Sequence, residues 1–184
     1  MKSKIFILAL AAFSLTAFQA NAQIDLSLNA LGIIFGGTQL GADFALTDEF
    51  SAELSLGYNS RRDDDRSQKY TSVPVQVLGK YYFGPDDGAD NFYAGLLLRL
   101  ASRSYTNDGD SSFAELTQSR FGAGIGVGYK SISRSNIVFD FGLTLGKVLS
   151  DTTKYEDSDG LQEEISIPGI IFGLRAGVGY RFGS

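Results

Sequence analysis

Nine charged side chains, Asp43, Glu53, Lys80, Arg99, Arg103, Arg120, Asp140, Arg175 and Arg181, fall on one side of an alternating pattern whose other side is apolar. Charges so placed are costly without partners, and their mixed signs suit a network of ion pairs. Counted along their segments, Asp43, Glu53, Lys80 and Asp140 lie low and Arg99, Arg120 and Arg175 higher. Glu53 is expected to anchor the network to Arg99 or Arg120. The upper arginines admit two readings: an anion-binding or anion-conducting site, or structural partners of the carboxylates and of acids in the loops. The structural one is preferred.

Other chemistry finds less support. The chain has no histidine, so the ordinary general base near neutral pH is missing. Catalysis would need a perturbed Glu53 or Asp43, and no enzyme activity is expected. Acidic clusters at Asp63-Asp64-Asp65, Asp108-Gly109-Asp110 and Glu156-Asp157-Ser158-Asp159-Gly160 could attract hard cations. Aligning Gly160 with the glycine of a calcium loop puts Tyr155 first and Ser166 last, however, where ligating acids belong, so a solvated loop is the simpler reading. Loose bridging of Mg²⁺ or Ca²⁺ to lipopolysaccharide would give calcium-dependent heat stability, lost on replacing the acids with Asn. Gly122, Gly124, Gly126 and Gly128 alternate on one face rather than forming the turn of a phosphate loop. They are expected to make room inside for Tyr82, Arg99 and their neighbours.

The elements that position these groups are strands. In 136–145, Ile137, Phe139, Phe141, Leu143 and Leu145 oppose Val138, Asp140, Gly142 and Thr144, a period of two with one apolar face. The split recurs in 50–59, 92–101 and 120–129, and further strands are expected near 24–34, 37–47, 70–83 and 166–182. Because the other face carries glycine, charge and hydroxyl, the pattern suits a barrel with lipid outside and a polar lumen. Short turns are expected at 47–49 and 133–135, a longer one at 84–90, and polar outer loops at 60–69, 104–114 and 150–164. The first outer connection, at Gly36-Gly37, is short, making the first two strands the weakest pair. Phe44, Phe50, Tyr81, Phe83, Phe92, Tyr129, Phe139, Tyr180 and Phe182 would form one interfacial girdle. Phe35, Tyr58, Tyr70 and Phe121 would form a thinner one.

Lys2 and Lys4, the apolar run 5–15 and Ala20-Asn21-Ala22 suggest an export signal cleaved after Ala22. Loss of its two lysines, with no Asp or Glu in 1–22, takes the formal charge from −5 to −7, a poor basis for nucleic-acid binding. The absence of cysteine excludes disulfides, thiolate metal sites and a lipid-modified cysteine anchor.

At the C-terminal end, Arg175-x-Gly177-x-x-Tyr180-x-Phe182 resembles the signal that the barrel-assembly machinery reads in bacterial outer-membrane proteins, although Gly183-Ser184 replaces the usual terminal aromatic. Val73-Pro74-Val75-Gln76-Val77-Leu78-Gly79-Lys80-Tyr81-Tyr82-Phe83-Gly84, followed by Phe92-Tyr93-Ala94-Gly95, is similar to the central hairpin of small outer-membrane β-barrel domain proteins of the OmpX and OmpA-transmembrane-domain type. The resemblance implies a structural or adhesive role, and the small lipid-modifying enzymes of this fold rely on histidine. The expectation is a signal peptide (1–22) and one domain (23–184): an all-β, eight-stranded antiparallel up-and-down transmembrane barrel, monomeric, without cofactor, in the outer membrane. Lipid, lipopolysaccharide, the barrel-assembly machinery and a surface ligand at the loops would be its partners. A narrow porin-like channel and an exported soluble lipid-binding barrel are the alternatives.

Overall fold

In the computed structural model, which describes residues 23–34, 36–63, 68–107, 115–156 and 169–183, the alternating segments form eight antiparallel strands. They are β1 (Ile24–Asn29), β2 (Gly37–Ala45), β3 (Phe50–Asp63), β4 (Gln68–Phe83), β5 (Asn91–Asn107), β6 (Glu115–Ile132), β7 (Ile137–Glu156) and β8 (Ile170–Phe182). Each pairs with its sequence neighbours and β1 pairs with β8, giving a closed up-and-down barrel in which the first and last strands have no free edge along their shared ladder. The end holding Ile24 and Phe182 is called proximal below, the other distal. Among the described residues no helix is long and apolar enough to cross a membrane.

The faces divide as the alternation predicts. On β3, Phe50, Leu54, Leu56 and Tyr58 are exposed while Ser51, Glu53 and Ser55 are buried. On β5, Phe92, Leu96, Leu98 and Leu100 are exposed and Tyr93 and Leu97 buried. The lumen therefore holds the charges together with a small apolar cluster of Leu78, Tyr82, Ala89, Tyr93, Leu97, Val148 and Ile171. Aromatic rings line the outside of the proximal end, with centroids 5.0 Å apart for Phe50 and Tyr81, 4.8 Å for Phe92 and Tyr129 and 4.8 Å for Tyr180 and Phe182. At the distal end Tyr70 stacks on Tyr105 at 5.0 Å, adding Tyr105 to the expected ring there; Phe35 lies outside the described residues.

Proximal turns are tied by their own side chains. Thr47 Oγ1 accepts from the amides of Glu49 and Phe50, and Ser133 Oγ from those of Ser135 and Ile137, the hydroxyl-to-backbone pattern that favours turns. In the 84–90 connection, the Asp90 carboxylate accepts from the amides of Asp86 and Asp87 at 2.8 and 3.2 Å. That turn folds under the barrel and buries Ala89.

Strand boundaries correct the sequence reading at the distal end. Sheet continues to Asp63, Asn107 and Glu156 and begins at Gln68 and Glu115, so much of the expected loops 60–69, 104–114 and 150–164 is strand. Beyond the apolar band both faces are polar, so the hydrophobic period fades while backbone pairing goes on. The segment 24–34 is strand only to Asn29, where the short helix α1 (Ala30–Ile34) begins, consistent with the loss of alternation in Leu31-Gly32-Ile33-Ile34. The β1–β2 ladder has five register pairs, the fewest in the barrel. The last strand starts at Ile170 rather than 166. Residues 1–22 with Ala20 and Ala22, and the acidic stretches at 64–65, 108–110 and 157–160, lie outside the described residues.

The glycine face of β6 makes room for neighbours of Tyr82, Tyr93 above all, whose ring centroid lies 5.6 Å from that of Tyr82. A Cβ at Gly128 would clash with the Tyr93 ring and with the Phe141 carbonyl oxygen, one at Gly126 would meet Leu78, and one at Gly122 Ile171. Gly79 faces open space. Gly128→Val is therefore expected to cost about 2 kcal/mol or more, in the range of overpacked cores. Gly79→Ala should stay within about 0.5 kcal/mol, both read from urea unfolding of the detergent-folded barrel.

Candidate functional site

One connected network of ionic and polar side chains crosses the proximal half of the lumen, and every strand contributes to it. Asp43 and Glu53 are direct cross-strand partners on β2 and β3, an arrangement of like charges that is destabilising by itself. Lys80, from β4, offsets it: its Nζ lies 2.9 Å from Asp43, 2.7 Å from Glu53 and 3.2 Å from Asp140, and its side chain is 0% exposed. Lys130, from β6, stands 2.7 Å from Asp43 and 2.8 Å from Asp25.

Arg175 closes the group from β8. It pairs with Glu53, lies 3.4 Å from Asp140 and donates to Ser27 Oγ at 2.9 Å. From β5 the Tyr93 hydroxyl donates to Asp140 at 2.9 Å, and from β4 Tyr82 donates to Asp43 at 3.1 Å. Lys80 and Lys130 sit over the rings of Tyr93 and Tyr82, 4.6 and 4.9 Å from the centroids, close enough for the ring faces to attract them. At the proximal mouth Arg181 binds Asp25 at 2.7 and 2.9 Å. It also donates to the carbonyls of Asp87 and Ala89, tying the 84–90 turn beneath the network.

Burial explains why so many partners are needed. Taking one ion out of water costs several kcal/mol, recovered only when its remaining hydrogen-bonding positions are met. Four acids, Asp25, Asp43, Glu53 and Asp140, meet four bases, Lys80, Lys130, Arg175 and Arg181, so the group is formally neutral.

The expected residues separate into two sets. Asp43, Glu53, Lys80, Asp140, Arg175 and Arg181 join the network, whereas Arg99, Arg103 and Arg120 stand apart toward the distal end. Glu53 binds Arg175 and Lys80, not Arg99 or Arg120, because Arg175, expected high, reaches down from its backbone position opposite Gly142. Arg120 instead lies 3.1 Å from Asp151.

Asp25, Lys130 and Asp151 were not among the expected residues. The first two follow the alternation of their own strands, since Lys130 continues the face of Gly126 and Gly128 and Asp25 sits between Ile24 and Leu26. Asp151 breaks that rule because a bulge between Phe121 and Gly122 makes Leu149 an extra residue on β7. Leu149 and Ser150 both face outward, and the inward positions shift from even to odd numbers.

Above the network lies a cavity of about 450 Å³, bordered by Gln39, Asn59, Gln76, Arg99, Thr144 and the upper side of Glu53 and Arg175. Its polar lining offers ionic and hydrogen-bonding groups. Lys80→Met should cost about 3–5 kcal/mol, since it leaves three buried carboxylates short of a cation. Arg134→Met, at an exposed position in the 133–135 turn, should change stability by less than about 0.5 kcal/mol. Urea midpoints in detergent check both.

A solved structure shares the architecture. The crystal structure of a major outer membrane protein from Thermus thermophilus superposes with a TM-score of 0.55 over 88% of this chain and 98% of that one, at 18% identity, a likeness that speaks to the fold alone. No curated protein matches the chain. A family model described as a protein of unknown function, DUF3575, matches residues 5–167. The chain, a closed eight-stranded antiparallel barrel with an ion-paired lumen, therefore belongs to the DUF3575 family.

Proposed function

We propose that this protein is an integral β-barrel of the bacterial outer membrane with a structural or surface-interaction role, its lumen closed by the proximal charge network. The observation that carries this reading is the outer surface. Leu54 and Leu56 on β3, Leu96, Leu98 and Leu100 on β5, Phe141, Leu143 and Leu145 on β7, and Phe172 and Leu174 on β8 are all exposed. A soluble monomer rarely exposes an apolar patch beyond a few hundred Å², and here the belt runs round the barrel. From Phe92 to Leu100 a strand rising about 3.3 Å per residue and tilted about 40° covers roughly 20 Å of height, near the apolar band of outer-membrane barrels. The aromatic ring at the proximal end gives that belt an interfacial border.

Several further observations support the reading. The likeness to an outer membrane protein concerns the fold, and the signal-like residues 1–22 and the C-terminal Arg175, Gly177, Tyr180 and Phe182 suit export and assembly by the barrel machinery. On this reading lipid and lipopolysaccharide meet the apolar belt, and the 60–69, 104–114 and 150–164 segments face the exterior, where a surface ligand would bind. The protein is a monomer and not an enzyme, the lack of histidine being the argument against catalysis. Its resemblance to the OmpX and OmpA type supports the same role.

The 450 Å³ distal cavity favours, as a second reading, a narrow channel for ions or small solutes. Against it stand the buried network and the turn held under it by Arg181. A soluble barrel with lipid inside would need the apolar face turned inward, opposite to the exposure pattern. Gel migration with and without boiling, paired with planar-bilayer recording, tests these readings. A heat-dependent shift without conductance steps is expected; discrete steps would make it a channel, and extraction without detergent would point to the soluble barrel.

A further inference from the structure

The lumen charges fall into two groups of different balance. The proximal group is neutral, four acids against four bases. In the distal group Arg99 and Arg103 project from β5 and Arg120 from β6, with Asp151 as the neighbouring carboxylate. Among the described residues of this group, three cations against one anion leave an excess of two positive charges.

No ion pair among the described residues engages Arg99 or Arg103. Arg103 Nε is buried without a hydrogen-bond partner, and so is Arg120 Nε, which lies near Asp151 without bonding to it. Asp151 Oδ2 is partly taken by an amide hydrogen bond from Gln118 at 3.0 Å. Buried donors left unmet cost about 1–3 kcal/mol each, more when charged. Three guanidinium groups facing one cavity, two of them with an unmet buried Nε–H, thus define what the site lacks, an anion with several acceptor oxygens.

The space fits that requirement. A cavity of about 120 Å³ is lined by Arg99, Arg103 and Arg120 with Gly122, Val148 and Ile171. At about 30 Å³ per water it holds a few waters, enough for one tetrahedral oxyanion and too little for a nucleotide. Arg99 also borders the larger distal cavity, which gives the site an approach. Planar guanidinium forks match phosphate and sulfate oxygens in pairs.

We propose that Arg99, Arg103 and Arg120 form a binding site for a phosphate- or sulfate-class oxyanion in the distal lumen. The site stands whether or not the barrel's outer face meets lipid, since it is built from the inner face alone. The oxyanion is either free in solution or the head of a phosphorylated lipid.

The full chain, folded in a phosphate-free nonionic detergent, tests this by thermal unfolding during titration with sodium phosphate or sulfate against sodium chloride at constant ionic strength. A parallel arm adds a phosphorylated glycolipid to the micelles at equal phosphate. Wild type should show a saturable rise in Tm. Arg99→Gln/Arg103→Gln should weaken the midpoint at least tenfold and keep the non-saturating rise that excluded salts give any protein. Arg103→Gln alone should weaken it several-fold, which covers the case of a double variant that does not fold. Saturation with inorganic phosphate assigns the site to a free oxyanion, and saturation with the glycolipid alone to a lipid head. A rise that does not saturate in either arm, or one that saturates equally in the variants, overturns the proposal.

Discussion

Lys80 places one positive charge within 3.2 Å of three carboxylates from three different strands. Such a cation cannot be hydrated where it sits, and each of its acids has one further cation beside it. The remaining lumen geometry follows from this demand. Lys130 and Arg181 serve Asp25 while Arg175 serves Glu53 and Asp140, so that each acid meets at least two cations. The interior of a small barrel is thereby filled by polar groups in fixed register, where a soluble barrel would use apolar packing.

That inversion has a cost, and the glycines help meet it. Charged side chains and two tyrosines occupy the proximal lumen, so the strand opposite them must be bare. Tyr93 lies against Gly128 and Gly142, and its hydroxyl reaches Asp140 only because no side chain stands between. Pro74, which lacks the amide a sheet would use, is likewise accommodated beside Gly57. Packing and electrostatics are thus one constraint: the ring that fills space also completes the hydrogen bonding of a buried acid.

Much of this was legible along the chain. Period-two alternation identified eight strands, their two faces, the proximal aromatic ring and six of the residues that form the ion network. Strand ends were not legible, because beyond the apolar band the hydrophobic signal stops while the backbone ladder continues to Asp63, Asn107 and Glu156. Asp151 was hidden for a related reason. A single bulged residue, Leu149, reverses the facing of everything after it on β7, and nothing in the alternation of side chains announces a bulge.

By itself the sequence determined a closed, polar-filled sheet cylinder, since one apolar and one polar face per strand can be satisfied together only by turning them to opposite sides of a continuous sheet. Which charge meets which was decided by the tertiary structure alone. Glu53 and Arg175 are 122 residues apart, on β3 and β8, and meet because closure brings β1 beside β8 and a long guanidinium side chain crosses the lumen downward. Height along a strand says where a backbone sits; across a narrow barrel, the reach of the side chain and the need to neutralise a buried carboxylate choose the partner.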